Sequence, residues 1–352
     1  MVIAFVNATK KWGGVKTWCL DMGRALAARG HEVHVLGRPG DFVDKAAAAG
    51  LTARAVRFGF VYNPLSVLSF LAYFRRHKVD VLVGNVAQDM RTAGLAARLL
   101  GLQVVQHVGS GGDFPESATT RLALRLLRPR HICCSEYVRR AILSFVPSLA
   151  GHEVHALHPG TAMPPAPGLE AHEPPVVVAT SQLNPDKGHA DLLDALARLK
   201  AEGVAFRAVI AGTGSLEGQL KAKAAQLGLD GVIEWTGFTT DVGAVLRRGD
   251  IFVLPTYIEP LGIALQEAMA AGLAPVARNA GGVPEIWPAA SRAQLVAPQP
   301  GPDGLHGALR SLLTMPRGEL LELRRAVWSH ARESFELGAQ AGRFADWLGQ
   351  AR

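Results

Sequence analysis

IFVLPTYIEPLGIALQEAMAAG, residues 251–272, decides how this chain folds. Its first four residues are an unbroken apolar run that Pro255 ends, the pattern of a strand buried on both faces. A loop carrying Glu259 follows. Gly262 then opens a helix whose first backbone amides have no partner within the helix, and such a terminus can meet an anion or a sugar hydroxyl. Glu267 lies eight positions after Glu259, and Gly272 supplies the helix C-cap. By themselves the two glutamates could do no more than cap and solvate the helix. A buried strand, a short loop and a helix make part of a βαβ unit, which a parallel sheet needs repeatedly.

The unit does recur. Upstream, apolar runs at 2–6, 32–36, 79–83 and 103–107 alternate with amphipathic stretches such as 15–29. The rhythm pauses at HPGTAMPPAPGLEAHEPP, 158–175, where prolines deny strand hydrogen bonds and favour extended chain. It restarts with strands predicted at 176–180, 206–211, 232–235, 251–254 and 274–276. Helices are predicted at 189–202, 215–227, 242–248 and 262–271. The tail, 319–348, reads as helical by periodicity. The pattern predicts an α/β chain of two Rossmann-like, doubly wound parallel-sheet domains, 1–160 and 161–334, with a helix at about 335–352 packing back on the first. In such sheets ligands sit beyond the carboxyl ends of the strands, so the cleft between the domains is the expected site.

Composition narrows the class. Hydrophobic residues are 49% and charged residues 19% of the 352 positions, a globular mix that excludes a disordered chain. Cys19, Cys133 and Cys134 are too few and too irregularly spaced for a disulfide framework or a tetrahedral zinc site, which suits a cytoplasmic protein. The start, MVIAFVNATKK, reads as a first strand and not as a signal peptide. The longest apolar stretch, 61–74, contains Asn63, Pro64 and two serines and falls short of the roughly 20 residues of a membrane span. Lys and Arg exceed Asp and Glu, 37 − 30 = +7, so polyanions, anionic lipid or phosphorylated small molecules are the expected partners. No nucleic-acid-binding module is recognisable, and nucleic acid is not expected as a partner.

Residues 251–272 resemble the E-x7-E signature of retaining glycosyltransferases with the GT-B fold, specifically glycosyltransferase family 4. Similar stretches run through almost the whole chain in matching order: GGVKTWCLDMGRALAARGHEV (13–33), CSEYVRRAIL (134–143), LNPDKGHADLLDAL (183–196), AGTGSLEGQL (211–220), WTGFTTDVGAVLRRGDIFVLPT (235–256) and GLAPVARNAGGVPEI (272–286). The resemblance implies that Glu267 holds the ribose hydroxyls of a nucleotide-diphosphate sugar and Glu259 the sugar hydroxyls. Backbone amides near Leu261 and Gly262 would touch the sugar or its phosphate. Lys187 is the implied countercharge to the departing diphosphate; a lysine beside a glycine in a loop can also be merely solvated. Family members commonly have Arg where this chain has Gln182. An amide can hydrogen-bond a phosphate but cannot neutralise it.

In the amino-terminal half, Gly13 and Gly14 would face the donor phosphate or the acceptor, since no side chain blocks an approach to their backbone. Lys10, Lys11 and Lys16 bracket them and suit an anionic ligand or plain solvent. Lys16 and Asn85 are assigned to the acceptor, and His107 to the neighbourhood of the transferred sugar, although a lone His at a strand end is often structural. Gly281, Gly282 and Glu285 match a turn near the donor, where Pro284 and Glu285 also suit a first helical turn. Gly212, in AGTGS, reads as a turn near the nucleotide, too short for a dinucleotide fingerprint.

The expected activity is retaining, metal-independent and cofactor-free sugar transfer from a UDP-, GDP- or ADP-sugar to a glycan or lipid-linked acceptor, in envelope polysaccharide, lipopolysaccharide or glycolipid synthesis. Gln182 keeps a second reading open: a non-catalytic nucleotide-sugar-binding homologue, or a subunit of a larger transferase. Epimerisation and phosphorolysis fit the motifs less well. Basic and apolar residues interleave at 58–78 and 121–130, which suits peripheral contact with the anionic inner face of a membrane, or a buried helix with snorkelling arginines.

Overall fold

The computed structural model describes residues 1–10, 12–59, 62–167 and 169–350. Its elements begin β1 (Val2–Asn7), α1 (Gly14–Ala28), β2 (Glu32–Gly37), α2 (Asp41–Ala48), β3 (Thr52–Ala55), α3 (Pro64–Arg76), β4 (Val81–Gly84), α4 (Ala87–Asp89), α5 (Leu95–Leu99) and β5 (Gln103–Val108). There follow α6 (Ala118–Leu127), β6 (Arg130–Cys133), α7 (Glu136–Phe145) and β7 (Val154–Ala156). The second series is β8 (Val176–Thr180), α8 (His189–Ala201), β9 (Arg207–Ala211), α9 (Glu217–Gln226), β10 (Ile233–Gly237), α10 (Val242–Leu246), β11 (Ile251–Leu254), α11 (Ile263–Ala270), β12 (Ala274–Arg278) and β13 (Leu295–Val296). Helices α12 (Asp303–Leu313), α13 (Arg317–Phe335) and α14 (Leu337–Gly349) close the chain.

Two compact units result: Met1–Gly160 with Leu337–Arg352, and Thr161–Glu336. Each is built on one parallel sheet, ordered β3-β2-β1-β4-β5-β6-β7 in the first and β10-β9-β8-β11-β12-β13 in the second. Both are Rossmann-like, as the strand-helix rhythm predicts. The strand order reverses between β1 and β4 and between β8 and β11. At these points loops leave adjacent strands toward opposite faces and open a crevice.

Strands read as continuous apolar runs because both faces of each sheet are covered. In the first unit α1 and α14 cover one face, where Phe344, Trp347 and Leu348 join Ile3, Phe5 and Val83. The other face packs on Val67, Phe70 and Phe74 of α3 and Ala96 and Ala97 of α5. Burying each such side chain is worth about 1.5–3 kcal/mol. In the second unit Val177, Ile210, Ile251 and Val276 meet Leu192, Leu196, Leu309 and Leu312.

The structure departs from the sequence reading in a few places. Strands β3, β6, β7 and β13 were not predicted. They span four, four, three and two residues, too short for a period to declare itself. The helical tail breaks at Glu336, which adopts extended dihedrals, φ −55° and ψ 133°, and Thr161 N–H donates to Phe335 O (2.8 Å). The unit boundary falls at that break. The C-cap of α11 is Ala271, with Gly272 one position beyond at φ +83°. All three cysteines are buried, and none of them forms a disulfide among the described residues. Among the described residues no helix is long and apolar enough to cross a membrane.

Candidate functional site

In the second unit the loops after β8 and β11 are stitched together across the strand-order reversal. Asp186 O accepts from Tyr257 N–H (2.9 Å) and from Thr256 Oγ1 (3.2 Å). Gly188 makes this approach possible. It sits at φ +67°, and a Cβ there would lie 2.0 Å from Pro255 O. The stitching delivers Lys187, at the end of a short 3-10 turn, to Glu259, with Nζ 3.3 Å from Oε2. The ammonium is also 3.6 Å from Asp186.

Glu259 is 15% exposed at its side chain. Burial raises the carboxyl above its usual range, opposed by the Lys187 ammonium and by the Gly262 N–H, which donates to it. Gly262 itself has φ +104°. Leu261 is buried at 1% exposure, so its side chain belongs to the core. Glu267 lies one turn into α11 and is half-buried.

Two glycine turns complete this region. Gly282 N–H donates to Glu259 O (3.0 Å), and a Cβ on Gly282 would lie 2.3 Å from Pro260 O. Gly212, at φ +138°, abuts Ser181 O in the same manner, 2.0 Å from a built Cβ. Both glycines therefore let backbone meet backbone. Gln182, beside Ser181, is exposed, and its Oε1 accepts from Asn184 Nδ2 (3.0 Å).

Sequence reasoning missed the support beneath this site. Arg278, 1% exposed at the end of β12, donates to Pro255 O, to Asp191 and to Gly301 O (2.9 Å), and stacks over Tyr257 at 4.6 Å. Asp191 also accepts from Tyr257 Oη and Gly301 N–H, both at 2.7 Å. A charged side chain closing the apolar strand 274–278 was the available signal, because a buried guanidinium demands a carboxylate partner. Arg278 is fully engaged there and does not stand in for an arginine at position 182.

In the first unit Asn85 follows β4, and His107 is the penultimate residue of the neighbouring β5. Asn85 Nδ2 donates to His107 Nδ1 (3.1 Å), and its Oδ1 accepts from Asn7 Nδ2 (3.3 Å). This sets Nε2 as the protonated nitrogen of a neutral ring. His107 stacks on Trp18 with centroids 4.0 Å apart, and burial pushes its pKa down to about 3. Asp89, also unpredicted, accepts from the N–H groups of Ala8, Asn85 and Val86 (2.7–3.0 Å), and burial pushes it up to about 7. It ties the β1 and β4 loops together.

Lys16 is not a solvated surface lysine. It is 6% exposed, donates to Thr9 O (2.9 Å) and lies over Phe42, and burial lowers its pKa. Gly13 and Gly14 are exposed at the start of α1. A cavity of about 530 Å³ beside them is lined by residues that include Thr9, Lys10, Trp12, Lys16 and Arg38, with one carboxylate, Asp41. Lys11 lies outside the described residues. Among the described residues the donor atoms of Glu32, His34 and His77 lie close enough together to hold a metal ion. Both ring nitrogens of His34 are already bonded, to Tyr73 Oη (2.7 Å) and Glu32 (2.8 Å).

Residues 165–334 match the family model of glycosyl transferases group 1, and residues 12–148 that of glycosyltransferase family 4. The amylovoran biosynthesis glycosyltransferase AmsK of Erwinia amylovora is 33% identical over 123 residues, 33% of this chain and 30% of that protein. Across several bacterial relatives of this kind the chain spans about a third of their length. The gpi3 subunit of the phosphatidylinositol N-acetylglucosaminyltransferase of Schizosaccharomyces pombe is 26% identical, over 86% of this chain and 70% of that one. Among solved structures, Anabaena HepE in complex with UDP superposes with a TM-score of 0.81 at 18% identity, covering 99% of this chain and 100% of that one. That likeness shows the fold, GT-B as the sequence implies.

Proposed function

The chain belongs to the group 1, family 4 glycosyltransferases, and on that premise we propose that it moves a sugar from a nucleotide-diphosphate sugar to an acceptor hydroxyl with retention of configuration. The observation that carries this reading is the Lys187–Glu259 pair, held by two loops at the β8/β11 reversal. Lys187 supplies countercharge to the diphosphate as the glycosidic bond to it breaks, in place of a metal. Glu259 accepts hydrogen bonds from the sugar hydroxyls and Glu267 from the vicinal ribose hydroxyls; ionised carboxylates make such bonds strong. Gly212, Gly282, Leu261 and Gly262 present backbone to the donor, and Gln182 a neutral amide.

On this reading the second unit binds the donor and the first the acceptor. The cavity with Lys10, Lys16 and Arg38 suits an anionic acceptor, and His107 offers an Nε2–H to a hydroxyl rather than a proton to be moved. As the family resemblance implies, the acceptor oxygen bonds to the anomeric carbon on the face that the leaving phosphate vacates, and that phosphate takes the acceptor proton. Catalysis then rests on positioning and electrostatics. UDP and UDP-glucose bind HepE, which supports a nucleotide-sugar donor. The names of the relatives, an amylovoran biosynthesis glycosyltransferase and a phosphatidylinositol dimannoside mannosyltransferase, support a polysaccharide or glycolipid product. Incubation with labelled donors and anomeric analysis of the product test this: a retained anomer is expected, and an inverted one overturns the mechanism.

A second reading has one observation in its favour. Gln182 carries no charge, and Arg278 is committed to Asp191 and Pro255 O. Donor binding with neither transfer nor hydrolysis would make the chain a binding subunit.

A further inference from the structure

Strand β2 reads EVHVLG, and its Val33 and Val35 join the core on one face of the sheet while Leu36 joins the core on the α3 face. His34 shares the α3 face with Leu36 by strand alternation and is only 1% exposed. An imidazole buried in an apolar layer costs desolvation that a valine would not. The ring is held from α3, where its Nδ1 lies 2.7 Å from the hydroxyl of the buried Tyr73. Its Nε2 meets Glu32 Oε1 at 2.8 Å, at the surface end of the strand.

The end of α3 brings a second imidazole to the same place. His77 is the C-cap, and its N–H donates to Tyr73 O (3.0 Å). Lys78 follows at φ +49°, a left-handed position where glycine is the usual occupant, and turns the chain toward β4. The His77 ring packs against Tyr73 with centroids 4.2 Å apart and lies 5.0 Å from the ring of His34. Ligand atoms of Glu32, His34 and His77 all fall within 4.8 Å of one another.

We propose that Glu32, His34 and His77 form a zinc site, with two imidazole nitrogens, one carboxylate oxygen and a water as the four ligands. The hydrogen bond between His34 Nε2 and Glu32 does not block it. The Tyr73 hydroxyl can donate or accept. When it accepts from Nδ1–H, the proton of the neutral ring has left Nε2, and that nitrogen offers its lone pair to the ion with no net loss of a proton from the ring. A hydrogen-bond acceptor on the far nitrogen is the usual support of a zinc-bound histidine. Zinc bonds of about 2.0–2.1 Å set tetrahedral ligands about 3.3 Å apart, so the His34–Glu32 contact has to open by about half an ångström. Glu32, with more than half of its side chain exposed, is free to make that move.

The surroundings select the ion. Arg54 stacks over Tyr73 at 4.9 Å and Arg76 adjoins His77, so a single carboxylate among cations attracts weakly the ions held chiefly by charge. Magnesium and calcium want oxygen ligands. Zinc binds imidazole well. The site fastens the first residues of β2 to the last turn of α3, at the amino ends of the strands, whereas the residues assigned to sugar transfer lie beyond the carboxyl ends. The ion is a structural fastening, and its assignment does not rest on the proposed function.

The test is calorimetric titration of zinc chloride into the metal-stripped full chain, repeated in excess magnesium. One ion per chain is expected in both, with thermal unfolding moving to higher temperature as zinc is added. His77→Gln and Glu32→Gln, folded like the parent by circular dichroism, should lose this binding. Tyr73→Phe keeps all three ligands and should weaken it roughly tenfold to a hundredfold. His306→Gln breaks a His–Glu contact of the same 2.8 Å that belongs to no three-ligand group among the described residues, and should bind zinc like the parent. Zinc held by His77→Gln or by Tyr73→Phe as tightly as by the parent overturns the proposal. So does the lack of stoichiometric binding, or an ion shared by two chains and seen as zinc-dependent dimerisation.

Discussion

Lys187 Nζ stands 3.3 Å from Glu259 Oε2, a contact between loops that leave neighbouring strands on either side of a strand-order reversal. The pair links the two halves of the proposed chemistry, since the same ammonium that lowers the Glu259 carboxyl against the effect of burial is the charge offered to a departing diphosphate.

Lys187→Ala should therefore lower turnover by about 10–100-fold, the equivalent of about 1.5–3 kcal/mol for a charge-assisted bond, and nucleoside diphosphate affinity by less. It should also move the acid limb of the pH-rate profile to higher pH, because burial of Glu259 is then unopposed by the ammonium. Unchanged turnover would remove Lys187 from the site.

Gln182→Arg should raise the transfer or donor-hydrolysis rate, around tenfold for each 1.4 kcal/mol of leaving-group stabilisation restored. A drop in rate with the fold intact would mean that Gln182 makes a specific contact with the donor.

His107 should remain neutral across pH 5–8. Its pKa is depressed to about 3 by burial, so protonation sets in only well below that window. Its imidazole resonances, identified by their loss in His107→Gln, should not move between pH 8 and pH 5. A midpoint near 6.5 would contradict the buried, Asn85-bonded ring.

Gly188→Ala should destabilise the chain by about 1–3 kcal/mol, since φ +67° is strained for a side chain and the new methyl would meet Pro255 O at 2.0 Å. An unshifted denaturant midpoint would mean that the loops after β8 and β11 are not held together at this point.

What the sequence made legible follows from how each feature is encoded. The stretch 251–272 declared a strand, a loop and a helix because an apolar run, a proline and two glycines punctuate it within 22 positions. Lys187 and Glu259 were legible through the motifs around them, but their contact was not: it depends on Gly188, whose need for positive φ is invisible until Pro255 O is found against it. Asp191 looked like any polar residue in a first helical turn, and Arg278 like any strand-end cation. Only the register of β12 against β11 joins them beneath the site. Asp89 was missed for the same reason, as its three partners are backbone amides. Strands β7 and β13, of three and two residues, carry no period to read.

The central claim, that the second unit holds a nucleotide-diphosphate sugar through Glu267, Glu259 and Lys187, is tested most directly by thermal unfolding of the full chain against a panel of UDP-, GDP- and ADP-sugars, in the parent and in Glu267→Ala. At roughly 100 times its dissociation constant the correct donor should add about 2.7 kcal/mol of stability. Glu267→Ala should lose most of that shift, because a carboxylate shared by two ribose hydroxyls is replaced by a methyl group. A panel in which no donor stabilises the parent, or a Glu267→Ala chain that keeps the full shift, would contradict the claim.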